Sequence, residues 1–345
     1  MGGPRGLRSA LCETAGIEVT KGLTLKVLVT GSTGYVGSRL VAALINEGHQ
    51  VSAGLRNVQK TESFEWPADV RAVRFDVTAK ETLTAATTGV DVVVYLVHSM
   101  AGDDFVARDR EAAENLALAS EVSGVRKIVY LSGLIPGGHD LSDHLKSRLE
   151  VEQIFENCLV PAITLRAAII IGNGSTSFEL VRTLVNRLPV VPVPRWMTGD
   201  VQPVAASDVI RVLCAAVRAE PMDAHFDIGG PDILPYADVL ALYADCAGLK
   251  RPQVRIPFIP TRAVGELGAL ITGMPRGTVT SLVESLHGPM VAEKTDYAAV
   301  FGFGPEELMG ARQAIMTALE PSADGTQRRG EPLHGAPTDP DWAGP

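Results

Sequence analysis

Long apolar runs, cysteine and aromatic residues are all scarce in this chain, and each scarcity excludes something. No apolar run reaches the roughly 18 residues that a membrane-spanning helix needs, so no membrane span is expected. The opening stretch MGGPRGLRSALCETAGIEVTKG lacks the apolar segment of a secretory signal, which makes a cytoplasmic, reducing location the expectation. There are four cysteines, Cys12, Cys158, Cys214 and Cys246. None forms a C-x-x-C pair or sits at zinc spacing from histidines, so they are read as reduced and buried, and no metal is expected. Aromatic residues make up 5% of the chain and are not interleaved with basic ones, as stacking on nucleic acid would require. A net charge of −9 also argues against a nucleic-acid surface. The expected partner is a small-molecule substrate, with the chain a monomer or homodimer.

With 46% hydrophobic and 21% charged residues over 345 positions, the chain has the composition of a globular protein with a large core. Residues 1–24 read as a flexible leader. Residues 321–345, rich in proline, glycine and charge, read as a disordered tail. Between them, apolar runs at 25–31, 49–57, 70–77, 89–98, 125–133 and 162–172 read as strands, with helices at 35–48, 104–123 and 142–157. The run GVDVVVYLVH is apolar on both faces, as an interior parallel strand must be. This alternation predicts an α/β fold: a Rossmann-type doubly wound parallel sheet over 25–230 with a smaller C-terminal substrate lobe. That lobe takes in 173–200 and 231–320, with a helix at 177–187, a proline-rich stretch at 188–196 and a short strand near Val254–Ile256. The segment 202–217 reads as a helix with an aspartate cap near its start.

The most informative segment is Thr30-Gly31-Ser32-Thr33-Gly34-Tyr35-Val36-Gly37, which follows a strand and opens an amphipathic helix. Gly31 permits a tight turn, Gly34 lets main chain approach a pyrophosphate, and Gly37 allows close helix–strand packing. The helix N-terminus then offers free N–H groups and a favourable dipole to phosphates. Binders of NAD carry an acid at the end of the second strand. Here that segment is Ala53-Gly54-Leu55-Arg56-Asn57. Arg56, with Lys60 one turn on, suits a ribose 2′-phosphate, so NADP(H) is favoured over NAD(H). Asp76 and Val77 end the third strand beside the expected adenine, and Leu96, Val97 and His98 end the fourth beside ribose and pyrophosphate.

These pieces, with VYLVHSM, KIVYLSGL, HLKSRLEVE, LRAAIIIGNGS and PVAASDVIRVL, resemble the extended and atypical short-chain dehydrogenases/reductases. The subgroup is that of the NmrA-like and YbjT-like NAD(P)H-binding proteins, often labelled the NAD-dependent epimerase/dehydratase family. The resemblance spans roughly 25–217 and is looser over 231–320. It implies a Tyr-x-x-x-Lys pair for proton chemistry and a hydroxyl residue after the fifth strand. This sequence departs at each place. His144 stands at the tyrosine position and Arg148 at the lysine position. Leu134 or Gly133 takes the hydroxyl position, leaving Ser132 nearby. Arg148 can grip ribose hydroxyls or phosphate but cannot trade protons. His144 can act as acid or base, and equally Ser142-Asp143-His144 can simply begin a helix.

The resemblance thus implies an NAD(P)H-dependent oxidoreductase for a small carbonyl, enone or imine, with His144, Arg148 and Ser132 as its catalytic residues. The alternatives are a non-catalytic NADP(H)-binding sensor or assembly protein, and a sugar-nucleotide epimerase or dehydratase. Trp196 and Met197 are further candidates for lining a substrate pocket, and Glu179 for facing a ligand; each has an ordinary packing role as its alternative.

Overall fold

The structure is a computed structural model that describes residues 24–64, 66–98, 104–137, 141–256, 261–286, 288–320, 333 and 339. The leader before Thr24, most of the tail, and Ser99 and Met100 lie outside the described residues. In chain order the elements begin β1 (Lys26–Val29), α1 (Tyr35–Asn46), β2 (Gln50–Leu55), β3 (Arg71–Arg74), α2 (Lys80–Thr87), β4 (Val92–Tyr95), α3 (Phe105–Ser123), β5 (Lys127–Gly133), α4 (Asp143–Glu156) and β6 (Ala162–Ala167). They continue with β7 (Ile170–Ile171), α5 (Thr176–Arg187), β8 (Val191–Pro194), β9 (Asp200–Val201), β10 (Val204–Ala205), α6 (Ala206–Arg218), β11 (Ala224–Ile228), β12 (Leu234–Pro235) and α7 (Tyr236–Cys246). The chain then forms β13 (Gln253–Ile256), α8 (Thr261–Thr272), α9 (Arg276–Ser285), α10 (Ala298–Phe301) and α11 (Ala311–Leu319).

Seven strands form one parallel sheet in the order β11-β6-β5-β4-β1-β2-β3. Its two faces can be read from single strands, because successive side chains alternate. Val27 and Val29 of β1 and Val92 and Val94 of β4 join the cluster with Leu40, Leu44 and Leu213, under α1 and α6. Leu28, Val93 and Tyr95 point the other way, against Leu83, Leu116, Val151 and Phe155 of α2, α3 and α4. Helices therefore cover both faces, as the doubly wound expectation requires. Strand order reverses between β1 and β4, which opens a crevice at their carboxyl ends.

Three local expectations need correction. Helix α2 is absent from the sequence reading, because KETLTAAT buries only Leu83, Ala86 and Thr87 and shows almost no apolar stripe. The run 162–172 is not one strand. It leaves the main sheet after Ala167, and β7 pairs instead with β10, so this apolar run serves two sheets. Nor does an aspartate cap α6: its N-cap is Ala205, with no side-chain cap. Asp208 lies inside the first turn and accepts from the Met309 N–H at 2.7 Å.

The C-terminal part packs α5 against α7 and α8, and α9 against α8, while β8 pairs with β13 in parallel. The proline-rich stretch thus contains a short strand. Two residues of the expected tail are described, and both are seated on the body. Leu333 is buried in the main core, and its carbonyl accepts from the Asn173 N–H at 2.9 Å. Asp339 pairs with Arg39 of α1.

A buried lysine ties the sheet to α6. The Lys127 ammonium donates to the carbonyls of Ala216 at 2.7 Å, Val217 at 3.0 Å and Ala219, at a helix C-terminus whose dipole favours a cation. Lys127→Met keeps the apolar stem but strands these acceptors. A loss of about 1–3 kcal/mol is expected, read as a lower urea midpoint with unchanged slope.

Candidate functional site

The turn after β1 is shaped by what its glycines exclude. Gly31 has φ 65°, a left-handed conformation that favours glycine, and a Cβ there would lie 3.0 Å from the main chain of Leu96. At Gly37 a Cβ would fall 2.3 Å from the Gly31 carbonyl oxygen, so α1 rests directly on the turn. Gly34 is the N-cap of α1, and no side chain caps this helix. The first-turn N–H groups therefore lack intrahelical partners and point towards the crevice. Ser32 is fully buried, and its hydroxyl donates to the Gly54 carbonyl at 2.9 Å, tying the turn to β2. The Thr30 hydroxyl does the same for β4, donating to the Val94 carbonyl at 3.2 Å.

Gly31, Thr33, Gly34, Tyr35, Val36 and Gly37 line a cavity of about 480 Å³. Leu96 and His98 enter from the end of β4, Leu131, Ser132 and Gly133 from β5, and Ala167 to Ile170 from the end of β6. His144 and Arg148 enter from α4, one turn apart on one face. The far wall comes from Leu180, Tyr236, Leu282, Ser285, Leu286 and Met290. The three residues singled out for chemistry, Ser132, His144 and Arg148, thus meet in the same cavity as the glycine turn.

Five of the expected cofactor contacts stand outside that lining: Ser32, whose hydroxyl is spent on β2, and Arg56, Asp76, Val77 and Val97. Arg56 is exposed just beyond β2, as is Lys60, on the outer edge where the ribose end of a dinucleotide would lie. Asp76 is engaged locally. Thr78 donates to its carboxyl through the hydroxyl at 2.8 Å and the main-chain N–H at 3.1 Å, which holds the carboxyl below its ordinary value, with Arg56 and Arg74 adding charge. The Val77 carbonyl accepts from Asn115 at 3.1 Å, and Val97 packs beneath the sheet. Glu179 is not among the residues that line the cavity: it is fully buried, accepts from the Gly174 N–H at 3.0 Å and pairs with Arg182 at 3.5 Å. Trp196 and Met197 lie behind the wall, with the Trp196 ring 6.4 Å from that of Tyr236, which does line the cavity.

Electrostatics separate the roles at α4. Ser142 is the N-cap and accepts from the Leu145 N–H at 3.3 Å, so His144 is free of capping duty. Burial and the neighbouring Arg148 push the His144 pKa down to about 3, so the imidazole is neutral at neutral pH. Because the folded value lies below the ordinary 6.5, the unfolded chain binds more proton between pH 6.5 and about 3, and acidification through that window costs stability. Arg148 is 8% exposed and forms no ion pair among the described residues. The Ser132 hydroxyl is buried without a hydrogen-bond partner among the described residues.

The sequence carried no sign of Asp339. It reaches the cavity from the C-terminal segment and meets Arg39 in a two-pronged pair, 3.0 and 2.8 Å. Arg39 stacks on the Tyr35 ring at 3.9 Å and also donates to the Tyr35 carbonyl at 3.0 Å. Gly174 is needed beside this pair, since a Cβ there would meet the Asp339 carboxylate at 2.2 Å.

Comparison with known proteins agrees with this geometry. The family model described as NAD(P)H-binding matches residues 31–156. An uncharacterized protein of Mycobacterium tuberculosis is 27% identical over 248 residues, 71% of this chain and 26% of that protein. The photosystem II assembly factor Ycf39 of Synechocystis is 27% identical over 202 residues, 58% of this chain and 59% of that protein. The chain therefore spans about a quarter of the length of its mycobacterial relative. Among solved structures, a nucleoside-diphosphate-sugar epimerase from Staphylococcus aureus has a TM-score of 0.68 at 16% identity, covering 85% of this chain and 100% of that one, a likeness of fold. Glycine turn and sheet order thus agree with the NAD(P)H-binding family model over residues 31–156, and the likeness to the epimerase is one of fold.

Proposed function

We propose that the chain is an NADP(H)-dependent oxidoreductase acting on a small carbonyl, enone or imine. The observation that carries this reading is the uncapped N-terminus of α1, which opens on a largely apolar cavity that also contains Ser132, His144 and Arg148. The cofactor supplies the hydride chemistry when bound, and the protein supplies binding, orientation and exclusion of water. The amides of the glycine turn take the diphosphate. The apolar wall from the C-terminal lobe shields the reacting centre from bulk solvent. His144 and Arg148, at the positions of the absent tyrosine and lysine, orient the bound pair, and Ser132 stands behind them. Oxidation of NADPH in the presence of one member of a panel of small carbonyls and enones supports this reading. Tight binding of NADPH without turnover on any of them removes it.

The preference for NADP(H) rests on Arg56 and Lys60, exposed beyond β2 with no acid in that segment to hold a 2′-hydroxyl. Arg56→Ala is expected to weaken NADPH binding about tenfold or more, the worth of one charge-assisted hydrogen bond, and to leave NADH unchanged. Calorimetric titration of both nucleotides checks this. Equal losses for the two would assign Arg56 elsewhere.

A second reading has its own support. No tyrosine–lysine pair stands at α4, and a relative over 58% of this chain is named as an assembly factor. On that reading the chain binds NADP(H) without turning it over and acts through a protein partner. Co-purification of a stoichiometric partner whose release depends on NADPH would favour it.

A further inference from the structure

The corner of the cavity between α4 and the end of β4 is basic; the buried Asp109 of α3 behind it accepts from Ser147 at 3.1 Å and does not line the cavity. Arg148 is more than nine-tenths buried, lines the cavity and has no ion pair among the described residues. Leaving a guanidinium buried without a counter-ion costs several kcal/mol. His144 stands one turn before it on the same helix, and His98 enters from across the crevice. Among the described residues one carboxylate lines the cavity, that of Asp339, and Arg39 holds it in two contacts. Asp143 of α4 faces outward and pairs with Lys146 at 3.1 Å. Opposite the basic corner the wall is apolar, formed by Ile169, Leu180, Tyr236, Leu282, Leu286 and Met290.

We propose that this corner receives the anionic head group of a substrate whose body is apolar, with Arg148 as the anchor and His98 and His144 beside it. The head group is a carboxylate or a phosphate monoester, both of which match the guanidinium fork. The inference rests on the neighbouring glycine turn being the dinucleotide site, which leaves the α4 side of the cavity to the substrate. It carries a second consequence. An anion placed beside His144 opposes both effects that keep this imidazole neutral, burial and the Arg148 charge, so binding takes up a proton.

The test is calorimetry on the full chain with three eight-carbon probes, octanoate, octyl phosphate and the uncharged octanamide, each with and without saturating NADPH. At least one anion is expected to bind tenfold or more tightly than octanamide, and the two anion arms identify which head group is preferred. Near pH 6 the heat of octanoate, which is already ionised there, is expected to vary with the ionisation enthalpy of the buffer, reporting net proton uptake. Arg148→Gln is expected to erase the preference for the anion. Equal binding of anion and amide, or no binding of any probe, overturns the proposal, as does an anion preference that survives in Arg148→Gln. The comparison on the unaltered chain decides the matter even if Arg148→Gln does not fold. The heat of NADPH alone is read in the same series, so failure of the dinucleotide site and failure of the anion corner appear as different results.

Discussion

Gly37→Val is expected to abolish dinucleotide binding and to destabilise the fold together. The added Cβ would lie 2.3 Å from the Gly31 carbonyl oxygen and 2.8 Å from the Ser32 Cα. Both neighbours are main chain, so no side chain can rotate aside. Helix α1 must lift from the turn, which misdirects its free N–H groups and loosens Leu40, Val41 and Leu44 against β1 and β4. Overpacking of this kind costs about 1–3 kcal/mol or more, and the binding loss should exceed about a hundredfold, since helix N-terminus and turn carry the diphosphate. Gly34→Val is the contrasting case. A Cβ there meets only the Gly31 carbonyl, at 3.2 Å, and the residue's φ of −80° suits any side chain. It should fold with nearly native stability yet still bind poorly, because its side chain stands in the diphosphate's path. Thermal unfolding and calorimetry on both variants separate packing from recognition. Equal stability losses in the two would contradict the assignment.

Breaking the Arg39–Asp339 pair should produce the other large effect. Both groups are buried, at 4% and 7% side-chain exposure, and they meet in a bidentate geometry that fixes direction as well as distance. Asp339→Asn or Arg39→Met alone breaks this two-pronged contact and leaves the other charge in a poorly solvated place, at a cost of about 3 kcal/mol each. The double variant removes both charges and should cost no more than either single one. Urea unfolding of the four proteins gives the coupling directly. Additive losses would show that the two residues act independently. Because Asp339 also lines the cavity beside Tyr35 and Gly174, the singles should alter nucleotide affinity as well.

Local signals carried most of the fold and half of the site. The glycine turn was legible because its chemistry is confined to eight consecutive residues. The sheet was legible because its interior strands are apolar on both faces, as Val92 to Tyr95 show by dividing between two cores. Helix α2 escaped because packing against α3, not an amphipathic stripe of its own, holds it. The end of β6 misled because its apolar residues serve two sheets in succession, and composition does not mark the change at Ala168 and Ile169. Ser132, His144 and Arg148 were found through the resemblance rather than through any pattern of their own. The apolar wall from α9 and the contact of Asp339 with Arg39, 300 positions apart, are products of tertiary packing, and nothing local announces them.

The central claim is that main-chain amides at the start of α1 hold the diphosphate of a nicotinamide dinucleotide. Calorimetric titration of the full chain with NADPH and NADH, beside Gly34→Val, tests it most directly. Saturable heat from NADPH, weaker heat from NADH, and none from the folded variant is the predicted result. No heat from either nucleotide, or binding by Gly34→Val as tight as by the unaltered chain, would contradict it.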